Sequence, residues 1–350
     1  RPQFIKAAVL SRIIRERNEI SEVIIHTGQH FDENMSEVFF REMDIPKPKY
    51  NFDINGVGHG TMTGRMLEKI EEVLLLENPS LVLVYGDTNS TLAGALAAKK
   101  LGIRVAHVEA GLRSFNMGMP EEVNRILTDR ISDILFCPTA SAVTNLKTEG
   151  FDHFEADVIL CGDIMKDSVE FYGRLSSQKS NLMNQLSLKD DDFVLATVHR
   201  QENTDDPGIL RSIIEGLNEL SKSTTVVLPM HPRTRAAMEK FGIGFDGLTT
   251  DPLGYFDMLE LLKYCKMVIT DSGGLQKEAY FNHKPCIILR EETEWVELVH
   301  HHYAVIAGAK ADRIEDAYRG FMESIPSFDK DLYGNNVGET IYQIIQNAIK

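Results

Sequence analysis

Short runs of branched apolar residues recur along the chain, separated by stretches whose apolar positions return every three or four residues. Val23-Ile-Ile25, Leu81-Val-Leu-Val-Tyr85, Val105-Ala-His-Val108 and Ile134-Leu-Phe136 read as strands, and Met62 to Leu76 as an intervening helix. The alternation continues through Val158-Ile-Leu160, Val194-Leu-Ala-Thr-Val198, Val226-Val-Leu228, Met267-Val-Ile269 and Cys286-Ile-Ile-Leu289. Strands this continuously apolar are covered on both faces, as in parallel, doubly wound sheets. The predicted fold class is therefore α/β, with two Rossmann-like domains and a central cleft. The Asp- and Ser-rich stretch from Asp163 to Asp192 is the only long interruption, which divides the chain into residues 1–165 and 166–334.

The start breaks this pattern. Arg1-Pro-Gln-Phe-Ile-Lys6 runs straight into an amphipathic segment with Ile5, Val9, Leu10, Ile13 and Ile14 at helical spacing. An α/β chain normally enters its first helix from a strand, so an opening strand and part of its loop are expected ahead of Arg1.

Composition narrows the function. The 350 residues are 43% hydrophobic, enough for about two ordinary domains, and the net charge of −15 argues against a general attraction to nucleic acid or anionic membrane. Anionic ligands must then be caught by local basic groups. Cys137, Cys161, Cys265 and Cys286 are far apart and lack metal-ligand spacing, and they read as reduced core residues of a cytoplasmic protein. No apolar run approaches the roughly 20 residues that span a bilayer. No carboxylate or histidine group has a metal-ligand pattern, so neither metal nor cofactor is expected.

Candidate chemistry gathers where strands end. In Thr270-Asp-Ser-Gly-Gly-Leu-Gln-Lys-Glu278, Gly273 and Gly274 permit close backbone approach, the helix start favours a phosphate, and Glu278 lies within reach of a ribose. The same residues also suit a plain turn in which Ser272 caps a helix. His199, His231 and Arg290 each follow a strand, so several cations converge on one sheet edge, as a diphosphate requires. The N-terminal half supplies acids instead: Asp87, Glu109 and the Glu121-Glu122 pair. Acids opposite a diphosphate site suit acid/base work. Pro120 followed by two acids is equally a helix-start signal.

Arg1-Pro-Gln-Phe-Ile-Lys6, His26-Thr-Gly-Gln-His30, Gly86-Asp-Thr88, His107-Val-Glu-Ala-Gly-Leu-Arg113, Pro120-Glu-Glu-Val-Asn-Arg125, His199-Arg-Gln-Glu-Asn203 and Asp271-Ser-Gly-Gly274, in this order, resemble the non-hydrolysing UDP-N-acetylglucosamine 2-epimerase family. The resemblance implies a glycosyltransferase-B fold whose last helix, within 335–350, crosses back to the first domain. It implies that Asp87, Glu109 and Glu121 carry acid/base and cation-stabilising work and that His199 meets the diphosphate. Arg1, Ser272, Gly273, Gly274 and Glu278 match UDP-binding positions, and Lys6, Arg113 and Arg125 match positions facing phosphate or sugar. Arg290-Glu-Glu-Thr-Glu-Trp-Val-Glu297 lacks the Arg-Pro pair of many members. With Ser114-Phe-Asn-Met117, it resembles the branch acting on UDP-2,3-diacetamido-2,3-dideoxy-glucuronic acid. Trp295 and Val296 are then expected beside the sugar.

Such enzymes interconvert C2 epimers of a UDP-2-acetamido sugar, and the resemblance implies a homodimer serving surface-polysaccharide synthesis. Three alternatives share the UDP site: a glycosyltransferase, which needs an acceptor; a hydrolysing epimerase, which releases UDP; and a non-enzymatic UDP-sugar sensor, which has no use for three acids.

Overall fold

The computed structural model describes residues 2–29, 43 and 45–350, so Arg1 and the chain from His30 onward in the Gln-His motif lie outside the described residues. The chain divides into two compact units, Arg1–Ser168 with Asp331–Lys350, and Val169–Lys330.

In the first unit, β1 (Ile25–His26) and β2 (Tyr50–Asn51) form a parallel pair, and β3 (Leu81–Tyr85), β4 (Arg104–Val108), β5 (Ile134–Cys137) and β6 (Asp157–Leu160) form a parallel sheet in that order. Helix Pro2–Arg17 turns Val9, Leu10, Ile13 and Ile14 onto Ala106, Val108, Ile134 and Phe136, where helix Val337–Ala348 adds Val337, Ile341, Tyr342 and Ile345. Burying each such aliphatic side chain contributes about 1.5–3 kcal/mol. The last helix docks closely because residue 338 is glycine: a Cβ there would lie 2.7 Å from Val9 and 2.8 Å from Ile13.

The second unit holds β7 (Phe193–Thr197), β8 (Thr225–Pro229), β9 (Leu248–Thr250), β10 (Met267–Thr270), β11 (Cys286–Ile288) and β12 (Ala304–Ile306), all parallel, in the order β12-β11-β10-β7-β8-β9. The order reverses between β7 and β10. Chain leaving neighbouring strands there turns to opposite sides and opens a crevice at the carboxyl edge, which is where such sheets take ligands. Helix Pro207–Ser221 covers one face with Leu210, Ile213, Ile214, Leu217 and Leu220.

One expectation changes. The polar stretch after Asp163 is largely helical, Ile164–Lys179, because Ile164, Met165, Ser168, Val169, Tyr172 and Ser176 share its buried side. Small serines sit on that inward face, so counting polar residues hides the helical period. The four cysteines carry free thiols, three of them buried, and burial pushes Cys161 and Cys265 up to about 12. Among the described residues no helix is long and apolar enough to cross a membrane.

Gly162 has φ +93°, and a Cβ there would lie 2.2 Å from the Tyr333 carbonyl oxygen. Gly162→Ala should cost about 1–3 kcal/mol or more through strain and overpacking. Gly64 lies inside helix His59–Glu77 with nothing near its missing side chain. Gly64→Ala should stabilise by about 0.5–1 kcal/mol. Denaturant melts that ranked the two in the opposite order would contradict this account of the glycines.

Candidate active site

Two strand ends in the first unit present carboxylates. After β3 the chain turns through Gly86, φ +63°, to Asp87, and Thr88 then caps helix Asn89–Lys100 in a reciprocal bond with Thr91. After β4, Glu109 itself adopts φ +75°, with its N–H and that of Ala110 both donating to the Phe136 carbonyl at 3.1 and 3.0 Å. A left-handed glutamate is uncommon and strained. The bend at Gly86 favours glycine through its positive φ, and a Cβ there would also crowd Gln3 Nε2 at 3.1 Å and Glu109 Oε2 at 3.3 Å.

Each acid has a cation. Lys6, on the first helix and only 1% exposed, donates to Glu109. Arg125, on helix Pro120–Ile131, donates from Nη2 to Asp87 at 2.5 Å and from Nη1 to Glu122 at 3.0 Å. Burial raises the Asp87 carboxyl above its ordinary range, Arg125 and Lys6 pull it down, and the Glu109 charge adds to the rise. Two neighbouring carboxylates in different environments suit proton transfer in both directions.

The adjacent glutamates separate. Glu121 is exposed on the first helical turn, where the helix dipole favours its charge. Glu122 is fully buried and accepts from Ser114 N at 2.9 Å, Ser114 Oγ at 3.0 Å and Phe115 N at 2.9 Å. In the sequence it reads both as one of the acids and as helix-start chemistry, and its i, i+3 spacing to Arg125 is an ion-pair signal. Arg113 does not join the acids. It is 3% exposed and gives Nε and Nη2 to Glu149 at 2.6 and 2.7 Å and Nη1 to Asp129 at 2.7 Å, a buried strut between the two carboxylates.

In the second unit, the reversal between β7 and β10 is built around Asp271. This buried carboxylate accepts from the N–H groups of His199 and Arg200, both at 2.8 Å, and from Asn203 Nδ2 at 3.1 Å. Its Oδ1 lies 3.2 Å from His199 Nδ1, and Thr197 and Thr270 hydroxyls join the two strands at 2.6 Å. Burial alone would raise Asp271, but the His199 side chain and the two backbone donors hold it below the usual carboxylate range. His231, which caps helix Pro232–Phe241, brings its ring to 5.4 Å from that of His199. Ser272 makes no side-chain cap bond at the start of helix Gly273–Phe281, and Glu278 is buried one turn further on. Two imidazoles beside a glycine-rich helix start without a side-chain cap suit a diphosphate.

Arg290 and Trp295 are both buried. Arg290 is 4% exposed and donates to Glu294, four residues on, at 2.9 and 3.1 Å. Trp295 is buried, its Nε1 3.6 Å from the position a Gly273 Cβ would take and its ring 3.9 Å beneath the Lys277 ammonium. The indole backs the glycine turn instead of offering an open face to a sugar. An arginine at 295 would confront Lys277. Among the described residues no three His, Cys, Asp or Glu side chains gather as a metal site.

Because Asp271 is depressed in the fold, its stabilisation is complete above the unfolded value of about 3.9 and is lost as pH falls through the lower folded value. Asp271→Asn should therefore lower stability at neutral pH and shrink the difference from wild type in strong acid. Parallel stability–pH curves for the two proteins would exclude this linkage.

The family profile described as UDP-N-acetylglucosamine 2-epimerase matches residues 12–346. The chain is 55% identical over 335 residues to the UDP-2,3-diacetamido-2,3-dideoxy-D-glucuronate 2-epimerase of Pseudomonas aeruginosa, covering 95% of this chain and 93% of that one. It is 45% identical over 354 residues to a UDP-N-acetylglucosamine 2-epimerase homolog of Methanococcus maripaludis, covering 99% and 97%. The crystal structure of Methanocaldococcus jannaschii UDP-GlcNAc 2-epimerase in complex with UDP-GlcNAc and UDP superposes with a TM-score of 0.90 at 39% identity, over 99% of this chain and 97% of that one. The α/β architecture with parallel sheets is accordingly that of the glycosyltransferase-B class. Carboxylates at one sheet edge, a glycine turn at the other and likeness along nearly the whole length agree, and the chain belongs to the UDP-N-acetylglucosamine 2-epimerase family.

Proposed function

We propose that this chain epimerises C2 of a UDP-2-acetamido sugar without net hydrolysis, and that its substrate is the 2,3-diacetamido-2,3-dideoxyglucuronate nucleotide. The observation that carries the chemistry is the Asp87 and Glu109 pair, each tied to a cation and coupled through charge. The 55% identity to the Pseudomonas aeruginosa enzyme supports the substrate.

The hydrogen at C2 lies beside an amide nitrogen and not next to a carbonyl, so direct removal leaves an unstabilised carbanion. Breaking the bond between C1 and the UDP oxygen first, with the electron pair leaving on UDP, makes C1 cationic and acidifies C2–H. A carboxylate of the Asp87, Glu109 and Glu121 set takes that proton, and a C1=C2 glycal results. Protonation of C2 from the opposite face and return of the UDP oxygen to C1 complete the exchange, and no oxidant or water is consumed. Lys6 and Arg125 hold the acids in place, and Arg125 keeps Asp87 ionisable against its burial. His199, His231 and the Ser272–Gly274 turn take the diphosphate, with Glu278 toward the ribose. Family likeness and the buried free thiols support the further reading of a cytoplasmic homodimer in surface-polysaccharide synthesis.

Turnover in D₂O should place deuterium at C2 of the product, read by proton NMR; an epimer that keeps its original hydrogen excludes elimination. Asp87→Asn or Glu109→Gln should lower kcat by about 10²–10⁴ with UDP affinity little changed. The diacetamido uronate should show the higher kcat/KM, and an equal or higher value for UDP-GlcNAc would overturn the substrate while leaving the chemistry.

A further inference from the structure

His107 lies within β4, between Ala106 and Val108, with no exposure at all. A buried imidazole needs a partner for each nitrogen. Its Nδ1 is 2.7 Å from Asp129 Oδ1, and its Nε2 is 2.7 Å from the carbonyl oxygen of Gly86. The carbonyl can only accept. The ionised carboxylate likewise only accepts, and that form is favoured by the two donors on its Oδ2, Gly111 N at 3.1 Å and Arg113 Nη1 at 2.7 Å. Burial pushes the Asp129 carboxyl up, but His107 and Arg113 outweigh it and hold the group below its usual range. Two acceptors facing one ring demand a proton on each nitrogen.

The partners matter because of where they sit. Gly86 immediately precedes Asp87, and Gly111 comes two residues after Glu109. Gly86, Glu109 and Gly111 all have left-handed backbone, at φ +63°, +75° and +79°. The two glycines adopt it freely, whereas a left-handed glutamate persists only where the surroundings over-determine it. His107 fixes the Gly86 carbonyl, and through Asp129 the same ring fixes the Gly111 N–H. Both acid-bearing turns are thus referred to one rigid side chain.

We propose that His107 is a buried imidazolium that serves as the positioning residue for the Asp87 and Glu109 pair, a role resting on the proton-transfer reading above. Its charge and that of Arg113 are matched by Asp129 and Glu149, so the network closes with two cations and two carboxylates. Arg113, expected at the substrate, finds its use here, and the histidine never touches the reacting atoms.

The ring is tested directly by long-range proton–nitrogen NMR of protein labelled in its histidine rings, at the pH of the turnover assay and with His107→Gln for assignment. Both His107 nitrogens should be protonated, and a single unprotonated nitrogen overturns the proposal. His107→Asn keeps an amide N–H near the Nδ1 position and His107→Gln keeps one near Nε2. The asparagine variant, which releases Gly86, should lose about 10²-fold in kcat, as expected when reacting groups shift by about an ångström. The glutamine variant should retain more activity, and both should keep wild-type UDP affinity. Folded variants with wild-type kcat, or losses confined to thermal stability, overturn the positioning role. If the variants do not fold, the wild-type ring spectrum decides, with the resonances assigned by substituting the other histidines. Wild-type turnover in Asp87→Asn and Glu109→Gln would overturn both readings, whereas their inactivation beside fully active His107 variants overturns this one alone.

Discussion

A guanidinium shared between two carboxylates organises the acid-bearing edge of the first unit. Arg125 reaches Asp87 with one terminal nitrogen and Glu122 with the other, and Glu122 in turn receives the backbone of Ser114 and Phe115. The turn after β3, the loop before helix Pro120–Ile131 and the helix itself therefore meet at one charge. Breaking a buried pair by deleting one partner generally costs about 3–5 kcal/mol, because the other charge stays out of water. Here the uncompensated group would be Glu122, which has no exposure.

The second unit solves a similar problem with backbone. Asp271 is neutralised by the Arg200 and His199 N–H groups, the His199 ring and an asparagine, without an arginine. That difference suits the two sites. A carboxylate held by amides keeps its charge and fixes a loop, while one balanced between a guanidinium and another acid sits closer to exchanging a proton. The two edges have the same parallel architecture and opposite electrostatic use.

Much of this was legible in the chain because strands buried on both faces stand out as apolar runs, and the acids and glycines at their ends fall at fixed offsets. Partners brought close only by folding were not. Arg113 reads as a ligand cation, and folding brings Glu149, 36 residues away, onto two of its nitrogens. The partner of Arg290 is nearer at hand, since Glu294 is four residues on and invites a local pair. Glu121 and Glu122 are equivalent as letters, and only helical phase sends one outward and the other into the core. The long helix after Asp163 was hidden because serines line its buried side.

Helix Val337–Ala348 belongs to the same core as helix Pro2–Arg17, and Arg17 bonds Glu339 across 322 residues of sequence. The second unit, by contrast, is one uninterrupted stretch. On the ribosome the two cannot mature in their order of synthesis. Residues 169–330 have all their own strands before the first unit has its last helix, so Val9, Leu10 and Ile13 lack the part of their cover that Val337, Ile341 and Ile345 supply while that stretch condenses. Vectorial synthesis thus runs against the architecture, and until the final helix emerges one side of the first unit's core stays open.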